Sequence, residues 1–295
     1  RLLKYNKFLK SIMMGLGCNA AGVVGCRIID SKRERLIAML TNCFVPCNGR
    51  FPMMLTIITI FFVNESRSRI ENTFLAALFM GGLILFGIFM TFLTSKILSA
   101  TLLKGVPSSF TLELPSYRKP QFTKVLIRSI FDRTLFVLGR AISVAAPAGF
   151  LIWALSNLTL GESSLLTICA KGLEPFGKIF GMDGVILFAF LLGLPANEIV
   201  LPIILMTYLS EGVLTEITDT IFIKQILIQN GWTWITAVNL LLFSLMHWPC
   251  STTCITIKKE TKSWKWTLAA VLIPTIAGLI ICFLFTNITC FILNF

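Results

Sequence analysis

Apolar runs of bilayer-crossing length recur along this chain, and its charges fall in short clusters between them. A helix rises about 1.5 Å per residue, so roughly 20 apolar residues cross the hydrocarbon. The run from Thr73 to Leu103 meets that length, and others flank it. Composition excludes the soluble alternative. Over 295 residues, 56% are hydrophobic and 14% charged, whereas a domain in water carries about 25% charged residues. The mean hydropathy is +0.84. The chain reads as an all-α, polytopic transmembrane protein.

Lys and Arg number 26 against 14 Asp and Glu, a net charge of +12. The basic residues gather in Ser31-Lys32-Arg33-Glu34-Arg35, Tyr117-Arg118-Lys119 and Lys258-Lys259-Glu260-Thr261-Lys262. That is the pattern of cytoplasmic loops, so the expected partner is the lipid bilayer and not nucleic acid. Residues 158–183 and 211–230 contain acids and read as lying on the other side. If both lie outside, residues 184–210 must enter the membrane and return. Pro195, Asn197, Glu198 and Pro202 make a broken or re-entrant helix the expectation there.

Apolar segments broken by glycine or proline are read over Ile12–Ile29, Leu36–Val63 with an interruption at Pro46–Arg50, and Trp232–Ile257 broken at His247–Cys250, and further spans are expected over Ala141–Asn157 and Trp266–Ile292. Residues 104–124 hold Pro107, Pro115 and Pro120 and read as a linker. Phe122–Arg140 reads as an interfacial amphipathic helix. The chain begins at Arg1 without a signal-peptide pattern, and is expected to be part of a longer protein or of a split system.

A weak internal echo is more informative. Gly15-Leu16-Gly17-Cys18-Asn19 resembles Gly193-Leu194-Pro195-Ala196-Asn197, and each is followed downstream by a Pro-Cys break, Phe44-Val45-Pro46-Cys47 and His247-Trp248-Pro249-Cys250. Interrupted apolar segments in corresponding positions of two halves point to a transporter site near the midplane, built as an inverted repeat. Broken helices free backbone groups, and in lipid these persist where they face a ligand or water.

Several side chains at these breaks could carry chemistry. Glu198 is a carboxylate deep in an apolar run, where insertion costs roughly 2.5 kcal/mol or more. His247 is the only histidine. Cys18, Cys47 and Cys250 each sit at a break beside Asn19, Asn48 or Ser251, and Asn197 precedes Glu198. Sulfur, imidazole and carboxylate together suit a borderline ion such as Fe2+ and not Mg2+ or Ca2+. Cys43 and Cys47, and Cys250 and Cys254, are spaced to share a helix face. Cys26, Cys169, Cys282 and Cys290 read as packing residues. Gly172–Lys178 mimics part of a phosphate loop, but Ile179 stands where Ser or Thr should hold Mg2+. It reads as a turn, and no GTP site is visible.

Six motifs in order resemble the ferrous iron transport protein B family: Gly15–Asn19, Ser31–Arg35, Pro46-Cys47-Asn48-Gly49-Arg50-Phe51-Pro52, Glu113-Leu114-Pro115-Ser116-Tyr117-Arg118, Leu194-Pro195-Ala196-Asn197-Glu198-Ile199-Val200, and His247–Thr253 with Lys259-Glu260-Thr261. The resemblance implies a bacterial inner-membrane Fe2+ permease with two gate regions. Residues 1–35 would end the first gate and 36–103 form the central membrane region. Residues 104–140 would be linker and interfacial helix, 141–257 the second gate, and 258–295 a last helix. It implies a cytoplasmic GTPase domain, in a missing N-terminal part or a separate chain, and it leaves small accessory proteins and self-association open. Cys18, Cys47, Glu198 and Cys250 fall on family motif positions, and the resemblance implies that Cys18 and Cys47 lie on a metal path. Departures are Ala20 and Ala21 where the family motif continues Val-Pro, Pro46 for Ser, and Gly49 for Ala. The rival readings are a nucleoside-type carrier, for which Trp248, Asn197 and Asn239 are polar or aromatic candidates, and a membrane scaffold that transports nothing.

Overall fold

The computed structural model describes residues 12–63, 68–104, 136–160, 163–209 and 219–293, with positions 123 and 127. Its α-helices are α1 (Asn19–Gly25), α2 (Lys32–Thr41), α3 (Phe51–Phe62), α4 (Arg69–Ala100), α5 (Phe136–Asn157), α6 (Leu165–Ile179), α7 (Gly184–Leu192), α8 (Val200–Leu209), α9 (Thr220–Gln229), α10 (Trp234–Met246), α11 (Ser251–Thr261) and α12 (Trp264–Ile292). The sole sheet among the described residues is a two-residue ribbon before α6, pairing Thr159 with Ser164 and Leu160 with Ser163. The all-α membrane architecture is as expected.

Four helical segments are long and apolar enough to cross a membrane among these residues: Lys32–Phe62, Arg69–Ala100, Trp234–Thr261 and Trp264–Ile292. Two are broken, α2 from α3 and α10 from α11, while α4 and α12 run through. The pair α6 and α7 bends by 113° at its junction.

Between 184 and 209 the chain folds back on itself: α7 packs on α8 across the 3-10 turn Asn197–Ile199. Asp183 caps α7 by accepting from the Ile186 amide at 2.6 Å, and Tyr208, one residue before the end of α8, donates its hydroxyl to the same carboxylate. Trp232 Nε1 donates to Tyr208 at 2.7 Å, so 183, 208 and 232 meet at one end of the bundle. The basic segments meet at the other end. Arg33 donates to the carbonyls of Leu103 and, at 3.2 Å, Ser99, and Arg27 pairs with Glu260 through contacts of 2.8 and 2.5 Å.

Three local expectations need correction. Ser31–Arg35 is no loop: Ser31 accepts from the Glu34 amide and caps α2, so this charge lies on the helix's first turn. Residues 211–230 are not wholly polar, because Ile221, Phe222, Ile223, Ile226 and Leu227 supply an apolar face and α9 packs on α3. The phosphate-loop mimic is the interior of α6, not a turn; a Cβ on Gly177 would stand 2.7 Å from the backbone of Asp183. The linker at 104–124 and most of the interfacial helix lie outside the described residues.

The main core gathers Phe44, Ile57, Ile58, Phe190, Ile203, Ile204, Phe243 and Leu245. Lipid is as apolar as these side chains, so helices associate through close packing and polar contacts. Gly87 shows the demand. A Cβ there would lie 2.5 Å from the Phe44 carbonyl oxygen and 3.2 Å from Leu245, whereas one at Gly82 meets nothing within 4 Å. Gly87→Ala should therefore lower thermal stability by about 1–3 kcal/mol, with Gly82→Ala neutral or slightly stabilising, as read from melting of the detergent-solubilised protein.

Candidate functional site

Four breaks carry the residues singled out from sequence. At the first, Cys18 is extended (φ −152°, ψ 125°) before α1. At the second, a short 3-10 turn over Asn42–Phe44 leads to extended Val45, then Cys47 precedes a second 3-10 turn, Asn48–Arg50, and Pro52 starts α3. At the third, Ala196 is extended before the 3-10 turn Asn197–Ile199 that opens α8. At the fourth, His247 and Cys250 both lie off the helix, and Cys250 caps α11.

The second, third and fourth breaks converge. Asn197 Nδ2 lies 3.9 Å from Cys47 Sγ, and Asn197 Oδ1 lies 3.2 Å from His247 Nε2. His247 Nδ1 stands 2.9 Å from the Ser244 carbonyl. All three side chains are buried. The Ser251 amide donates to the Leu194 carbonyl at 2.8 Å, which ties the third break to the fourth. Glu198 is exposed, but its carboxylate covers Gly49: a Cβ there would sit 3.0 Å from Glu198 Oε1. Cys250 is half-buried with its sulfur 3.2 Å from the Thr253 hydroxyl.

Cys18 stands apart. It is exposed at the start of α1, while its neighbour Asn19 is buried and accepts at its carbonyl from Asn42 Nδ2 at 2.9 Å. The α1 helix packs on α11, so Cys18 and Cys250 cap two neighbouring helices. Among the described residues, no three or more His, Cys, Asp or Glu side chains are placed to hold a metal. Cys43 and Cys47 flank the break and do not share a helix face, whereas Cys254 sits one turn into α11 from Cys250. Of the cysteines read as packing, Cys26 and Cys282 are buried, Cys290 is half-buried and Cys169 is exposed.

Sequence reasoning passed over Arg50. Its side chain is fully buried, the largest such in the fold. Nη1 donates to the carbonyls of Cys43 (3.2 Å) and Leu245 (2.9 Å), and Nη2 to that of Trp248 (3.4 Å). One guanidinium thus serves carbonyls from two breaks that no helix ladder reaches. Its planar fork of donors suits the task where a lysine's single ammonium would not. The signal was present: an intramembrane arginine is costly and marks a partner by default.

Residues 80–132 match the family profile described as ferrous iron transport protein B C terminus, and residues 138–264 one described as Gate, nucleoside recognition. The chain is 30% identical over 287 residues to the Fe(2+) transporter FeoB of Staphylococcus aureus, covering 94% of this chain and 40% of that protein. The FeoB of Campylobacter jejuni is 25% identical, covering 98% of this chain and 48% of its own length. The FeoB of Methanocaldococcus jannaschii is also 25% identical, over 90% of this chain and 39% of its own. The chain belongs to the ferrous iron transport protein B family. It spans less than half the length of these FeoB relatives. No solved structure gives a significant match.

Within this chain, Arg50 is set apart by the number of carbonyls that depend on it. Arg50→Met should leave three buried carbonyls without donors, at about 1–3 kcal/mol each. A large loss of melting temperature is expected, and Arg50→Lys should recover only a minor part of it. Full recovery by lysine would refute the forked-donor account.

Proposed function

We propose that this chain is the membrane-embedded permease portion of an Fe2+ uptake system. The observation that carries the reading is the meeting of three helix breaks at the Cys47–Asn197–His247 chain. A thiol and an imidazole are soft and borderline donors, which favour Fe2+ over Mg2+ or Ca2+. Cys18, at an exposed helix start, and half-buried Cys250 extend the soft donors outward along a path, with Asn19 beside Cys18 as support. Glu198 adds negative charge beside Gly49. Transport needs exchange, so a sparse ligand set that shares the cation with water serves better than a closed site.

In this reading the relatives' greater length accommodates a GTPase domain that drives gating, and the protein resides in the bacterial inner membrane. Accessory proteins of the uptake system and other copies of the chain are its candidate partners.

The description of residues 138–264 as nucleoside recognition favours a second reading, an organic solute carrier. Two of its polar candidates are otherwise engaged or enclosed. Asn239 donates to Thr286 at 2.8 Å and to Gly181 at 3.4 Å, while the Trp248 backbone carbonyl accepts from Arg50 and its indole Nε1 is enclosed without a hydrogen-bond partner among the described residues.

Radiolabelled Fe2+ uptake separates the two. Cys47→Ser and His247→Ala should each reduce uptake at least tenfold at equal expression, Cys18→Ser less, and excess nucleoside should not compete. Uptake undiminished in both Cys47→Ser and His247→Ala would remove these breaks from the path. Competition by nucleoside would favour the carrier reading.

A further inference from the structure

We infer that the Asn197 side-chain amide is a displaceable placeholder for the cation, and that an amide at this position, in place of an acid, keeps binding weak enough for release. The inference rests on the Fe2+ reading above and deepens it by naming the residue that sets retention against flux.

Hydrogen-bond accounting at His247 is the starting point. The Ser244 carbonyl 2.9 Å from Nδ1 can only accept, so Nδ1 carries the proton. A neutral imidazole has one N–H, and Nε2 therefore presents a lone pair to the Asn197 amide 3.2 Å away. Only the nitrogen end of that amide can donate to it. The two ends of an amide have nearly the same shape, and the network decides which faces which partner. Exchanging the two ends of the amide relative to the placement described above sets Nδ2 on the ring and Oδ1 toward Cys47, whose thiol then donates across the 3.9 Å gap. The chain then runs in one direction, from the Cys47 S–H to Asn197, from Asn197 to His247, and from His247 to the Ser244 carbonyl, with each group satisfied.

This arrangement aims two soft donors, the Cys47 sulfur and the His247 Nε2 lone pair, at one amide between them. The imidazole is held in place, with its ring centre 4.8 Å from that of Phe190 and 5.9 Å from that of Trp248. Turning the Asn197 amide aside is a rotation about its own side-chain bonds. A hydrated dication that enters the gap exchanges bound water for Nε2 and sulfur. The Cys47 thiol passes its proton to water as the sulfur–metal bond forms.

The surroundings keep the complex loose. Among the described residues no third His, Cys, Asp or Glu converges. Arg50, a fixed buried cation, donates to the carbonyl of Trp248, the residue after His247. A carboxylate at 197 would offset that charge and add a hard anionic ligand, completing a trap. The amide does neither.

Co2+ serves as the probe, with the purified full chain in lipid nanodiscs. Asn197→Asp should tighten Co2+ binding at least tenfold, with a thiolate-to-metal charge-transfer band, and should slow Fe2+ uptake at equal expression. Asn197→Ala removes the placeholder without adding charge, and should bind Co2+ as well as the wild type or better, with the band retained. Lost Co2+ binding in Asn197→Ala would make the amide a ligand and overturn the inference. So would an Asn197→Asp affinity within twofold of wild type, or a band that survives in Asn197→Asp/Cys47→Ser. If Asn197→Asp fails to fold, Asn197→Ala decides alone. Failure of the Fe2+ reading itself appears separately, as uptake untouched by Cys47→Ser in a chain with Asn197 intact.

Discussion

Hydrocarbon offers no water to a severed helix, and the centre of this fold is arranged around that fact. Every break exposes carbonyls and amides that cost several kcal/mol each if left alone in lipid. The chain answers with Arg50, whose guanidinium reaches the carbonyls of Cys43, Leu245 and Trp248. Placing an arginine at membrane depth costs about 2.5–3.5 kcal/mol by insertion scales. Three hydrogen bonds from a charged donor, at about 1.5–3 kcal/mol each, outweigh that. A charge which looks like a liability in an apolar run is thus what permits two spans to be broken at the same depth. The functional side chains gather where Arg50 holds the backbone open.

The echo in the sequence becomes a structural correspondence. Cys18 (φ −152°, ψ 125°) and Ala196 (φ −149°, ψ 122°), which align in the two short motifs, have nearly the same backbone conformation. Each is followed by a buried asparagine, Asn19 and Asn197. The interlocking is reciprocal. The helix after Cys18 packs on the helix after Cys250, and the turn after Ala196 packs on the turn after Cys47. So each half's first break rests against the other half's second, a reciprocal contact that fits two related halves. The halves are not equal in chemistry. Asn197 links Cys47 to His247, while Asn42 donates to the Asn19 backbone and its own oxygen packs where a Cβ on Gly22 would come within 2.4 Å. One crossing is packed shut by glycine, and the other is held by side chains that can turn.

Much of this was legible because the bilayer imposes a coarse code. Four span-capable segments followed from apolar run lengths and the broken ones from Pro and Gly within such runs, whereas the expected span at 141–157 is a shorter apolar helix. A broken segment after residue 184 was expected from loop charge together with Pro195, Asn197, Glu198 and Pro202, and Asp183 with Tyr208 holds its two ends together. What escaped was the fine scale. Ser31–Arg35 reads as a loop because charge dominates it, yet one serine cap suffices to start a helix there. The site residues were found as types at breaks, not as a set. Nothing in their spacing says that Cys47 meets Asn197 across 150 residues while Cys18 remains at a helix start, because that depends on how the halves cross. Arg50 was missed through attention to the prolines and cysteines around it, although its charge was the stronger anomaly.

The two ends of the bundle are tied by different physics. At the basic end Arg27 meets Glu260 in a two-point ion pair, but the arginine side chain is 60% exposed. Solvent screening leaves such a pair about 1 kcal/mol at most. At the opposite end Asp183, Tyr208 and Trp232 share a partly buried network that also caps α7. Networks of this kind in a low-dielectric setting resist partial loss, because breaking one member strands the others. The network joins residues of the second half alone and stiffens that half, whereas the Arg27–Glu260 pair crosses between the halves, where helix α1 of the first meets α11 of the second. The Cys47–Asn197 contact is likewise a crossing between the halves, so the site is held by one exposed ion pair and its own side chains on one side and by a stiffened second half on the other.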